Sequence, residues 1–146
     1  PYLVDPNTAT EMYESDDIVR YLFAHYGGGG KPLLYTGGPL ANLGSAIACA
    51  WRPGLGLRAE PSKAPAKLLE LWSFEASPFC RLVRETLTTL ELPYLLHNVA
   101  KGSPKRDAFI RRAGKMQVPY LVDANRGVAI FESADIVRYL ETTYAL

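Results

Sequence analysis

Three short groups of residues have the types and spacing to do chemistry. Ser77-Pro78-Phe79-Cys80 sets a hydroxyl directly before a proline and a thiol three residues on. Serine followed by proline marks a helix start, because proline suits the first helical position and serine can cap it. The same hydroxyl, with the unpaired N–H groups of a helix tip, can also stabilise an anion. A helix N-terminus contributes about 0.3–1 kcal/mol, against about 1.4 kcal/mol for each unit by which a thiol pKa is lowered. Val118-Pro119 is an X-Pro pair, the kind of bond that can be cis. Glu132-Ser133 stands just before Ile136, Val137, Leu140 and Tyr144, an apolar stripe at helical spacing. Ser133 is therefore expected to cap that helix, and its tip to favour a carboxylate.

Other reactive side chains read more plainly. Cys80, three residues into its helix, is expected to be a shielded, small apolar side chain, with a redox-active thiol as the alternative. Lys105, Arg106, Arg111, Arg112 and Lys115 form a basic cluster that reads as a solvated helix face. His25 and His97 are isolated, with no carboxylate or cysteine at ligand spacing, so no metal site is expected. Two cysteines, Cys49 and Cys80, are too few for a disulfide framework and point to a reducing, intracellular compartment. A net charge of +1 gives no reason to expect nucleic acid as partner. No stretch reaches the ~20 apolar residues of a transmembrane helix.

The elements that must position these groups follow from an internal repeat. Residues 1–26 and 119–144 align without a gap at a shift of 118, and 15 of the 26 positions are identical. Each copy reads as strand, turn, strand, helix. In the second, Tyr120–Val122 and Val128–Phe131 flank the turn-forming Asp123-Ala124-Asn125-Arg126-Gly127. In the first, Ser15 is the expected cap, and Ile18, Val19, Leu22 and Tyr26 form the stripe. Upstream of Pro119 the pattern predicts a strand over Lys67–Phe74, a helix over Phe79–Leu90, a strand over Pro93–Val99 and a helix over Lys105–Ala113. The whole is an α/β, βαβαββα domain over 66–146, its first two strands parallel through a right-handed crossover. Residues 1–27 are the ββα half of a first copy, whose other half is expected upstream of Pro1. Residues 28–65 form a linker that starts in a glycine run and carries a short helix over Pro39–Trp51.

Taken together and in order, Ser77-Pro78-Phe79-Cys80-Arg81, Gln117-Val118-Pro119 and Glu132-Ser133 resemble the N-terminal, thioredoxin-like domain of glutathione transferases. The duplication is similar to the tandem-domain proteins of plants and algae. The resemblance implies glutathione as ligand, with no metal. It implies that Ser77 is the catalytic hydroxyl that activates the glutathione thiol. Val118, before a cis Pro119, would offer its backbone to the cysteinyl part, and Glu132 and Ser133 would take the γ-glutamyl part. One of the basic residues can pair with a glutathione carboxylate. Where relatives of the glutaredoxin and omega kinds carry a cysteine, this chain has Ser77, which disfavours dithiol chemistry. The resemblance also implies that the second-substrate pocket is built by the family's all-helical C-terminal domain, which residues 66–146 do not include. The alternative is a non-catalytic thioredoxin-fold module, a structural or assembly subunit of a larger protein complex. A chloroplast location is implied by the resemblance alone.

Overall fold

The computed structural model describes residues 1–28 and 58–146; the linker helix, the rest of the glycine run and Cys49 lie outside the described residues. Two compact units divide the chain, Pro1–Pro53 and Gly54–Leu146.

The second unit is built on β3 (Leu69–Ser73), α2 (Pro78–Thr89), β4 (Tyr94–Asn98), α3 (Lys105–Ala113), β5 (Tyr120–Asp123), β6 (Val128–Phe131) and α4 (Ser133–Tyr144). Its four strands run in the order β4-β3-β5-β6. The β3–β4 pair is parallel, with Trp72 opposite His97, and the β3–β5 and β5–β6 pairs are antiparallel. The first strand is two residues shorter at its start than the pattern predicts, since Lys67 and Leu68 are exposed ahead of the sheet.

Alternation along β3 assigns a core to each face of the sheet. Leu69 and Leu71 pack with Val83 and Leu87 of α2, Leu121 of β5, and Ile136 and Leu140 of α4. Trp72 turns the other way and packs with Val99, Phe109 of α3 and Tyr120. Two helices thus cover one face and one covers the other, which is why the central strand is buried on both sides. The buried residues Cys80, Val83 and Leu87 of α2, and Ile136, Leu140 and Tyr144 of α4, keep the three-and-four spacing of an inward stripe. The second unit is a thioredoxin-like α/β domain.

The first unit contains β1 (Tyr2–Asp5), β2 (Thr10–Tyr13) and α1 (Ser15–Tyr26). Its hairpin register, from Tyr2 opposite Tyr13 to Asp5 opposite Thr10, is that of β5–β6 shifted by the repeat.

Both helix starts differ from the expected cap. Ser133 and Ser15 are the first helical residues, not caps, and neither helix has a side-chain cap hydrogen bond. The capping positions belong to Glu14 and Glu132, at φ 71° and 66°. A non-glycine residue with positive φ is costly and is kept where its surroundings fix it. The carbonyl of Glu132 still accepts the first helical bond, from the Ile136 N–H at 3.0 Å.

Candidate functional site

Ser77 occupies the tip of α2 in extended geometry, and its Oγ accepts the Cys80 N–H at 3.3 Å. Pro78 follows at the first turn, where its missing N–H costs nothing. Accepting that bond leaves the hydroxyl proton available, so the cap is also a donor. Ser77 is only 6% exposed, so that proton reaches a ligand only along the cleft it borders. Cys80 is fully buried on the helix's inward face.

That cleft measures about 420 Å³ and runs between Phe74–Phe79 on one side and Met116–Val118 on the other, with Arg106 at its edge. Ser77 and Val118, 41 residues apart in the chain, therefore line one space. The Val118–Pro119 bond is cis, and Pro119 is buried immediately ahead of β5. Gln117, next to Val118, donates through its Nε2 to Oε1 of Glu132. This ties the proline segment to the tip of α4. Ser133 instead lines a neighbouring groove of about 380 Å³ between α2 and α4, with Leu82, Thr86 and Val137. Of the residues singled out from the sequence, Ser77 and Val118 share the cleft, Glu132 joins it through Gln117, and Ser133 opens beside it.

Not all basic side chains form the solvated face expected of them. Arg106 donates through Nε to the carbonyls of Val99 (3.1 Å) and Ala100 (3.0 Å), which fixes its guanidinium beside the cleft. Lys115 lies 4.3 Å from the centre of the Phe131 ring. His97 is not isolated either: its Nε2 is 2.9 Å from Oε2 of Glu70, brought next to it by the parallel β3–β4 pairing.

A buried polar clasp escaped the sequence reading. Asp123, wholly buried at the end of β5, accepts from the hydroxyls of Tyr139 (2.6 Å) and Tyr144 (2.5 Å) and from the backbone and side-chain nitrogens of Asn125 (both 2.8 Å). Burial alone would push its carboxyl up; the donated hydrogen bonds outweigh burial and hold it below the ordinary value. The Tyr144 hydroxyl is raised to about 12, by burial first and then by its bond to Asp123. The clasp lashes the hairpin to α4 and so sets where Glu132 and Ser133 sit. Its sequence signal was the retention in both copies of Asp5, Asn7, Tyr21 and Tyr26, each 118 residues before its counterpart.

A sheet of order β4-β3-β5-β6 with two helices on one face and one on the other defines a thioredoxin-like domain. Residues 71–146 match the family model described as "Glutathione S-transferase, N-terminal domain", and the chain belongs to that family. Solved structures similar to it include a Bombyx mori glutathione transferase, 25% identical over 57% of this chain and 38% of that one, TM-score 0.51. Drosophila melanogaster glutathione transferase E6 is 33% identical over 53% of this chain and 35% of that one, TM-score 0.45. A Drosophila mojavensis glutathione transferase homologue with bound glutathione is 29% identical over 53% and 35%, TM-score 0.46. The chain thus spans less than two fifths of the length of each. No curated protein matches it. Among the described residues, no helix is long and apolar enough to cross a membrane.

Proposed function

We propose that the second unit binds glutathione in the cleft between the α2 tip and the segment before Pro119. One observation carries this reading: Ser77 and Val118 line the same cleft, with Arg106 at its edge. In it, the Val118 backbone holds the cysteinyl part in the manner of an added strand. The tip of α4 at Glu132-Ser133 takes the γ-glutamyl carboxylate, and the free Nη groups of Arg106 take the other. The Ser77 proton then points at the sulfur and favours its thiolate, the form that attacks an electrophile. In the same reading, residues 1–27 are the later half of a first domain of this kind, in a tandem arrangement of the plant and algal type. Titration of the chain with glutathione should be saturable. Ser77→Ala should leave the affinity within about threefold while raising the pKa of the bound thiol by about one unit. An unchanged thiol pKa removes Ser77 from the mechanism.

A second reading is a non-catalytic structural or assembly module. The engagement of the Ser77 oxygen as a cap favours it, because capping alone accounts for a serine at this position. Absence of saturable binding at millimolar glutathione selects it.

A further inference from the structure

Helix α3 carries a pattern that the glutathione reading does not use. On a helix lying across a sheet, positions spaced by three and four face inward and are normally apolar. Phe109 is the one buried residue of α3, and Lys105, Ala108 and Arg112 run along the exposed flank of the helix beside it. Ala108 is too short to fill the space beneath it. A pocket of about 260 Å³ remains between α3 and the end of β4.

The pocket has an apolar floor and a positive rim. Trp72, Val99 and Phe109 form the floor, all buried, and Lys105, Arg112 and Asn98 reach the rim. Its walls are held by side-chain contacts. The Trp72 ring stacks on His97 at 4.2 Å between centroids and 15° between planes, and the Arg112 guanidinium lies 4.8 Å from the Trp72 centroid. Glu70, in contact with His97 at 2.9 Å and with Arg112 at 3.7 Å, offsets one positive charge. Lys105 and Arg112 against this one carboxylate leave the pocket with a net positive charge. No residue lining it lines the Ser77 cleft.

We propose that this pocket binds a small organic monoanion with a ring-sized apolar body, of the class of aromatic carboxylates. The ring lies against the Trp72–Phe109 floor and the carboxylate meets Lys105 and Asn98. The volume sits just below the roughly 300 Å³ at which pockets for larger ligands begin, which matches a single ring with one charged group. Such an anion needs both halves of the pocket, because the floor supplies no charge and the rim supplies little apolar surface.

The test is nuclear magnetic resonance titration of the full chain with benzoate, benzyl alcohol and inorganic phosphate. Benzoate should shift the Trp72 indole N–H and the amides of Asn98, Lys105 and Ala108 saturably. Benzyl alcohol and phosphate should each bind about tenfold more weakly, since each lacks one half of the recognition. Lys105→Gln should weaken benzoate about tenfold and leave benzyl alcohol unchanged. Ala108→Leu should abolish both by filling the space, with the remaining amide spectrum preserved. Phosphate binding as tightly as benzoate, an unaltered benzoate affinity in Lys105→Gln, or shifts centred on Ser77 and Val118 would each overturn the proposal. Should Ala108→Leu lose its folded spectrum, the Lys105→Gln result decides alone.

Discussion

Tyr26 and Tyr144 end equivalent helices, and each donates its hydroxyl at 2.5 Å to the aspartate closing the first strand of its hairpin. Yet Tyr26 is 56% exposed and Tyr144 5%. The same contrast separates Leu22 (39%) from Leu140 (0%), and Tyr2 (50%) from Tyr120 (7%). In the second unit β3, α2 and α3 supply the cover. Among the described residues of the first unit there is no counterpart to them. Hairpin and clasp are made within 26 residues and so recur wherever the sequence recurs. Burial needs a partner surface from elsewhere in the chain, and repetition does not provide it.

Removing the aspartate of each clasp should separate the two copies most strongly. Asp123→Ala leaves two tyrosine hydroxyls and an asparagine without their acceptor inside a core, and should cost the second unit about 3–5 kcal/mol. Asp5→Ala should weaken only the first unit, and by less, because two of the lost donors, Tyr26 and Asn7, are exposed and can turn to water, while Tyr21 stays buried. Hydrogen exchange resolved by residue separates the two effects; equal losses would mean that burial is not what distinguishes the copies. The core pair comes next. Leu140→Ala should cost about 2–5 kcal/mol by opening a cavity, and Leu22→Ala no more than about 0.5 kcal/mol, both read by denaturant unfolding.

The clasps also predict how stability responds to pH. The Asp5 carboxyl is lowered to about 2 by bonds from Tyr21 and Tyr26, so its contribution is full above its ordinary value of 3.8. That contribution should be lost as pH falls from 3.8 towards 2, and Asp5→Asn should remove the dependence. Tyr144 has the opposite sign: the folded state holds its proton up to about 12, so stability should fall as pH rises from 10 to 12. Tyr144→Phe should flatten that alkaline limb in a pH series of unfolding curves.

The smallest effect concerns one turn position. Gly127 has φ 65°, and its counterpart in the first copy is Ala9, held at φ 51°. Left-handed geometry costs an L-residue about 1 kcal/mol and glycine nothing. Ala9→Gly should therefore stabilise the first hairpin, and Gly127→Ala destabilise the second, each by about 1 kcal/mol in hydrogen-exchange free energies. A Cβ at 127 would meet no atom within 4 Å, so a larger loss there would need a cause other than crowding.

Much of the fold was legible because its signals are local. Helix α3 starts and stops where its charges and Gly114 say it should, and the hairpins carry their own turn residues. The candidate site was legible as three separated groups. Which of them meet was not. Ser133 read as a cap because serine usually is one, but the positive φ of Glu132 moves the helix start back by one residue. Spacing along the chain hid the His97–Glu70 contact, since those residues become neighbours only when β3 and β4 pair in parallel.

The repeat, the order of the elements and the residue types at each helix tip can be read along the chain, because periodicity, turn chemistry and capping act over a few residues. That Ser77 and Val118 face one cleft and Ser133 a neighbouring one follows from packing alone. Packing likewise set the Arg112 guanidinium over the Trp72 ring and covered one copy of the ββα unit. Each of these depends on which surfaces the packed sheet brings together, and distance along the chain carries no record of that.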